Sequence, residues 1–201
     1  MQNNVNNTKL RSDFALITNW VQPKTKVLDL GCGDGGLLTH LHRVHDIRGY
    51  GVEKDDQNWL IAMQNGVDVI QMDLESGLSG FEDQSFDTVI LSQTLQSMHN
   101  TEGIVQEMLR VGREAIVTFP NFGYWRNRIQ ITAGQMPVSK TLPYEWYNTP
   151  NVHLCTIHDF DQFCNNHNIS VIERKVITEG QDVRFMPNLL GNLAMYRLKT
   201  S

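Results

Sequence analysis

The chain has 201 residues, 40% of them hydrophobic, and a formal net charge of -5. This length suffices for one sizeable core, so we expect a single domain over residues 1–201. The acidic balance offers no overall positive field for phosphate backbones, which argues against a nucleic-acid partner. Three cysteines are too few for a disulfide framework, and the sequence contains neither a signal peptide nor an apolar run of about 18 residues. We therefore expect a cytoplasmic protein that does not enter a membrane.

The first two thirds of the chain alternate between apolar strands and helical patterns. A polar stretch at residues 1–9 predicts a flexible tail, and an amphipathic helix around Ile17 follows it. Five strands are then predicted at residues 26–30, 49–53, 67–71, 86–91 and 115–119. Because helical periodicity separates them, the pattern indicates a parallel, doubly wound sheet.

The last third changes character. Residues 120–152 are rich in aromatic residues and proline, which predicts a cap or excursion from the sheet. Three interpretations of its aromatic residues remain as alternatives: a substrate lid, a partner surface, or packing onto the sheet. Thr156 then caps a helix, and strands at 169–178 and 193–198 predict an antiparallel closing pair. The expected fold is α/β and Rossmann-like, a seven-stranded, mostly parallel sheet with an antiparallel C-terminal strand.

A glycine-rich turn follows the first predicted strand. Gly31, Gly33 and Gly35 stand between that strand and a helix, where the backbone must turn sharply and can approach a ligand closely. With Gly36 the segment also satisfies G-x-G-x-x-G, the dinucleotide fingerprint. The glycines alone therefore leave S-adenosylmethionine (SAM) and NAD as alternative cofactors.

Acidic residues at the ends of the first three strands favour SAM. Glu53 can accept hydrogen bonds from ribose hydroxyls in either cofactor. Asp29 suits the ammonium group of the methionine moiety, and Asp73 can accept from the adenine amino group while Leu74 contacts the ring. The alternative interpretation is that these acids are helix caps or surface residues.

Further candidates lie beside these positions. Cys32 and Lys54 are candidate cofactor-binding residues, as is Ser92, which begins the loop after the fourth strand that would line the methyl pocket. His99 in the same loop is a candidate general base, or alternatively a polar loop residue. A C-x2-H-x5-C-x2-H pattern from Cys155 to His167 resembles a zinc site, but its residues fall on a predicted helix with an apolar face, so we predict no metal.

Three segments together resemble the methionine biosynthesis protein MetW family: residues 27–35, 118–126 and 142–155. The resemblance covers nearly the whole chain and implies a class I SAM-dependent methyltransferase fold that binds SAM or S-adenosylhomocysteine. It also implies a role beside the homoserine O-acyltransferase MetX, whose activity depends on such proteins in a number of bacteria. The Pro-Gly-Gly turn common in methyltransferases is replaced here by residues 110–114, which distinguishes this chain from typical small-molecule methyltransferases.

Two main hypotheses follow for function. The first is a SAM-binding subunit or activator that acts with MetX in methionine biosynthesis. The second is an active methyltransferase acting on a small metabolite. A nucleotide-linked dehydrogenase is a third hypothesis that rests on the G-x-G-x-x-G pattern alone.

Overall fold

The computed structural model describes residues 11–201, so the flexible tail expected at residues 1–9 lies outside the described part. The helices are α1 (Ser12–Trp20), α2 (Gly36–His45), α3 (Asp56–Gln64), α4 (Thr101–Val111), α5 (Trp125–Thr132), α6 (Ile157–Asn166) and α7 (Pro187–Leu190). The strands are β1 (Lys26–Leu30), β2 (Arg48–Glu53), β3 (Asp68–Gln71), β4 (Phe86–Ser92), β5 (Gly112–Pro120), β6 (Ile169–Thr178), β7 (Gln181–Asp182) and β8 (Leu193–Thr200).

All these strands belong to one sheet, in the order β3-β2-β1-β4-β5-β8-β6-β7. Strands β1 to β5 run parallel to one another, and β8 is antiparallel to both β5 and β6. The strand order therefore reverses direction between β1 and β4. In open α/β sheets a ligand site lies at such a switch point, beyond the carboxyl ends of the strands.

The expectation of seven strands was wrong, because the sheet has eight. The additional strand, β7, pairs with the end of β6 through a tight turn at Glu179 and Gly180. Both turn residues have positive φ angles, 53° and 83°, as a two-residue hairpin turn requires. A strand of two residues is too short to give an alternating sequence pattern.

Apolar side chains cover both faces of the sheet. One cluster is formed with α4 and α6 and contains Met108 and Phe160, and the other is formed with α1 and α2 and contains Ile17 and Leu41. Such coverage explains why consecutive apolar residues occur in β1 and β4, at Val27–Leu28 and Val89–Leu91, rather than a strict alternation. The strands ending beneath the candidate site are therefore held rigidly by packing on both sides.

The predicted excursion contains one helix, α5, within an otherwise irregular segment. Two of its side chains, Tyr124 and Leu142, are buried, whereas Trp146 and Tyr147 are among the most exposed aromatic residues described. The packing interpretation therefore holds for Tyr124 and fails for Trp146 and Tyr147. Within residues 11–201 no helix combines the length and apolar character needed to span a bilayer.

Candidate functional site

The glycine turn lies at the carboxyl end of β1, next to the ends of β2 and β4. Gly31, Gly33 and Gly35 have φ angles of 68°, 57° and 75°, which favour glycine. Their loop is fixed from below, because the amides of Gly31 and Cys32 both donate to the carbonyl of Val52, at 2.8 and 3.0 Å. A Cβ at Gly33 would meet no atom within 4 Å, so space lies open above this residue.

Asp29 is the most unusual side chain of the site. It is 3% exposed, yet its carboxylate accepts no hydrogen bond from any residue between 11 and 201. Burial, with smaller contributions from the charges of Asp13 and Glu53, raises the pKa of Asp29 to about 7 against the opposing charge of Arg11. Burial makes the charged form of a carboxylate costly, so this arrangement suits a cationic ligand group.

Arg11 and Asp13, which the sequence interpretation missed, complete this part of the site. Asp13 is 1% exposed and pairs with Arg11 at 2.6 Å. Ser92 donates to Asp13 at 3.2 Å and Gln93 donates to it at 3.0 Å, so α1 is joined to the end of β4. Burial acts to raise the pKa of Asp13, but the hydrogen bonds and charge of Arg11 outweigh it and leave this pKa lowered. The available signal was an acid in the apolar stripe that also contains Ile17.

The carboxylate of Glu53 accepts hydrogen bonds mainly from backbone amides. One carboxylate oxygen accepts from the amides of Lys54 and Asp55, both at 2.9 Å, and the other accepts from the amide of Gly33 at 2.8 Å. A carboxylate has about four acceptor positions. Glu53 therefore keeps one free position, enough for one ribose hydroxyl rather than the two expected from sequence.

Asp73 and Leu74 follow the end of β3, and Lys54 follows the end of the neighbouring strand β2. Asp73 caps a short 3₁₀ turn by accepting from the amide of Glu75, as the helix-cap interpretation predicted. It also pairs with Lys54 at 3.1 Å, and both side chains are about half exposed or more. The hydrogen bonds from Glu75 and Lys54 lower the pKa of Asp73. Leu74 is buried beneath it, so the carboxylate borders solvent while the leucine packs into the core.

Cys32 is part of the core rather than of the open site. Its side chain packs in the cluster below the sheet, and a Cβ on Gly51 would come within 2.5 Å of its Sγ atom. Burial and the charges of Asp29 and Glu53 raise the pKa of the Cys32 thiol to about 12. Cys32 therefore contributes its backbone to the glycine turn, and its side chain is not expected to contact a cofactor.

The loop after β4 contains His99, which is exposed. Its amide donates to Glu75 at 2.7 Å and its carbonyl accepts from the ring of His153 at 3.2 Å. The backbone of His99 is thus fixed, and no hydrogen bond from the described part of the chain orients its ring. A neighbouring cavity of about 190 Å³ is lined by Leu95, Gln96 and the rings of Phe119 and Phe160.

The residues of the zinc-like pattern do not form a metal site among the residues that the structure describes. Cys164 is buried in the core on α6, whereas His158 on the same helix is exposed. Burial raises the pKa of Cys155 and of Cys164 to about 12, so neither thiol is prone to ionise. These thiols behave as small hydrophobic groups.

The strand order, the glycine turn and the position of the acids define a class I SAM-dependent methyltransferase fold. The structure is similar to a SAM-dependent methyltransferase from Archaeoglobus fulgidus, with a TM-score of 0.70, 12% identity, and coverage of 94% of this chain and 92% of that chain. It is also similar to the [4+2]-cyclase SpnF, with a TM-score of 0.66, 17% identity, and coverage of 94% and 80%. Identities this low carry the fold and no activity.

The family is defined more closely by sequence. The model of the methionine biosynthesis protein MetW family matches residues 11–198, so the chain belongs to that family. The bifunctional methionine biosynthesis protein MetXA/MetW of Rhodopirellula baltica is 37% identical over 194 residues, which is 92% of this chain and 31% of the relative. The chain thus spans about a third of the length of that relative.

Proposed function

We propose that this protein binds SAM or S-adenosylhomocysteine and acts with a homoserine O-acyltransferase of the MetX type in methionine biosynthesis, in the cytoplasm. The observation that carries the proposal is the Rhodopirellula baltica relative, whose name joins MetXA and MetW in one chain. Two activities joined in one chain work at high effective concentration, which favours partners that must meet. The cytoplasmic setting is supported by free thiols at Cys32, Cys155 and Cys164.

The charges around the glycine turn support SAM over a dinucleotide. Asp29, Asp13 and Glu53 surround the turn, and burial makes the charged form of Asp29 costly unless a cation approaches it. SAM carries a sulfonium and an ammonium, whereas NAD would bring a pyrophosphate with two negative charges. We propose that Arg11, which pairs with Asp13 at 2.6 Å and is half exposed, also faces the carboxylate of SAM.

The remaining surfaces of the site also suit SAM. Gly33 leaves open space where a side chain would stand, and Glu53 keeps one acceptor position for a ribose hydroxyl. Asp73 is exposed and can accept from an adenine amino group. When bound, SAM supplies either an electrophilic methyl group or a signal of methionine supply, which could bias the partner's conformational equilibrium.

The test is an acyltransferase assay with purified MetX from the same organism, with and without this protein. We expect the protein to bind MetX in a pull-down and to raise its rate, with SAM altering the effect. The Asp29→Asn variant is the matched control, because it should retain the fold and lose the response to SAM. The proposal is overturned if MetX neither binds the protein nor changes rate.

A second candidate function is methyl transfer to a small metabolite. The cavity beside Leu95 and Gln96 favours it, because it adjoins the loop after β4 and has room for a small apolar group. In this case His99 is the candidate general base, and methyl transfer would depend mainly on positioning the acceptor. Incubation with labelled SAM and a metabolite extract separates the two functions: a labelled product that His99→Ala reduces supports methyl transfer, and its absence leaves only the first.

A further inference from the structure

Helix α5 has an inverted arrangement of polar and apolar side chains. It buries Asn127, which is 1% exposed, while Ile129 is 57% exposed and Trp125 is 38% exposed. Trp125 and Ile129 are four residues apart and so share one face of the helix. A helix on a globular protein normally turns its apolar face to the core, and an exposed apolar face marks a site of interaction.

A second exposed apolar element lies across a groove from α5. Phe185 is 75% exposed and Met186 is 50% exposed, at the start of α7. The groove between the two elements has a volume of about 440 Å³, and its lining includes Arg128 from α5 together with Met186 and Leu189. Arg128 and Met186 therefore line one depression, and Trp125, Ile129 and Phe185 are exposed apolar residues of the same two elements beside it.

The groove is positively charged although the whole chain is acidic. Arg128 donates through Nε to the carbonyl of Gly123 at 2.6 Å, and no carboxylate of residues 11–201 lies within ion-pair distance of it. The second arginine of the groove, Arg174, is neutralised by Asp161. One uncompensated guanidinium among apolar side chains complements a partner segment that presents an acidic residue beside apolar ones.

Buried hydrogen bonds hold the two sides of the groove together. Asn121 donates to the carbonyl of Asn188 at 3.0 Å and to that of Gly191 at 2.8 Å. Asn127 of α5 donates to the carbonyl of Asn121 at 3.2 Å, and the side chain of Asn188 accepts from the amide of Ile157 at 3.1 Å. A surface fixed in this way loses little conformational entropy on binding.

We infer that this surface, here called the α5 surface and formed by Trp125, Arg128, Ile129, Phe185 and Met186, docks the acyltransferase partner. The partner places an acidic residue beside Arg128 and apolar side chains against Ile129 and Met186. The inference rests on the proposed function and deepens it, because it names the face through which the two proteins meet. The relative that joins MetXA and MetW in one chain supports this occupant over other proteins.

The test compares two substitutions of matched exposure. Ile129→Glu changes the α5 surface, whereas Leu60→Glu changes α3, where Leu60 is 50% exposed and Ile129 is 57% exposed. Binding to purified MetX from the same organism is measured by titration calorimetry. We expect Ile129→Glu to weaken binding by about 30-fold or more, as a central interface residue does, and Leu60→Glu to leave it unchanged.

Arg128→Gln provides an independent measurement, because it removes the charge while keeping a long polar side chain. We expect weaker binding and a smaller loss of affinity with added salt than in the wild-type protein. If wild-type protein does not bind MetX, both the proposed function and the α5 surface are wrong. If it binds and both variants bind equally well, only the α5 surface is wrong. If Ile129→Glu instead dissociates a dimer of this chain and leaves the affinity for MetX unchanged, the surface serves self-association and the inference is overturned.

Discussion

Asp29 makes the folded protein less stable as pH rises. Its pKa is 3.8 without the fold and about 7 in the folded state, because burial disfavours the charged form. Between these values the folded state keeps a proton that the unfolded chain has lost. The contribution of Asp29 to the free energy of unfolding is thus fully present below about pH 4 and is lost as pH rises through 7. Each unit of pKa difference between the folded and unfolded states corresponds to about 1.4 kcal/mol.

Replacing Asp29 with asparagine should remove this pH dependence. From pH 5 to pH 8, the wild-type protein should lose stability relative to Asp29→Asn by on the order of 2 to 3 kcal/mol. Urea denaturation of both proteins at the two pH values measures the difference, and other titrating groups cancel in the comparison. Calorimetry should find SAM binding lost in the variant. Equal pH profiles would show that Asp29 titrates normally in the fold.

Gly51 makes room for the side chain of Cys32. A Cβ at position 51 would lie 2.5 Å from Sγ and 3.2 Å from Cβ of Cys32, in the middle of the β1–β2 pair. We expect Gly51→Ala to destabilise the protein by about 1 to 3 kcal/mol, as overpacking does. Thermal denaturation of Gly51→Ala, Cys32→Ala and the double variant checks this, since the double variant should recover part of the loss. Additive effects would contradict the contact.

At the level of elements, α6 depends on its first turn. Thr156 accepts from the amide of Asp159, and Asp159 accepts from the amide of Thr156, which forms a capping box. Thr156→Ala should lower the free energy of unfolding by about 1 kcal/mol, because one amide loses its partner. The urea midpoint measures this, with His158→Ala as the control, because His158 is an exposed residue in the same first turn. A midpoint equal to that of the control would contradict a role for the cap.

The elements with local signals were predictable from sequence. Short apolar segments indicated β1 and β4, and the Thr156 cap located the start of α6. Helix α5 and strand β7 were not predicted as such. The exposed apolar residues of α5 do not follow the periodicity of a core-facing helix, and β7 is defined by its hydrogen bonds to β6 rather than by its own side chains.

The candidate site was partly predictable for a geometric reason. Parallel strands end at one edge, so Asp29, Glu53 and Asp73 follow from strand order alone. Arg11 and Asp13 join them only through tertiary packing, since Asp13 contacts Ser92 across 79 positions of sequence. The hydrogen bonds that one Glu53 oxygen accepts from the amides of Lys54 and Asp55 could likewise not be predicted, because they depend on the path of the loop.

At the level of the whole molecule, ligand binding should stabilise the fold by mass action. At a SAM concentration 100 times the Kd, the gain is about 2.7 kcal/mol, which for a chain of this size raises Tm by on the order of 5 to 10 °C. Thermal shift measurements with SAM and S-adenosylhomocysteine test this. NAD serves as the comparison and should leave Tm unchanged. A larger shift with NAD would instead support the dehydrogenase hypothesis.

Strand β8 occupies an interior position of the sheet although it follows both of its neighbours in the chain. Its partners, β5 and β6, are translated first and expose unpaired edges until Leu193–Thr200 have left the ribosome. Unpaired edges are templates for association with other chains. Nascent copies of this protein on one messenger RNA can therefore associate through these edges until β8 pairs with β5 and β6. A chaperone that shields β5 and β6 during synthesis would reduce this association.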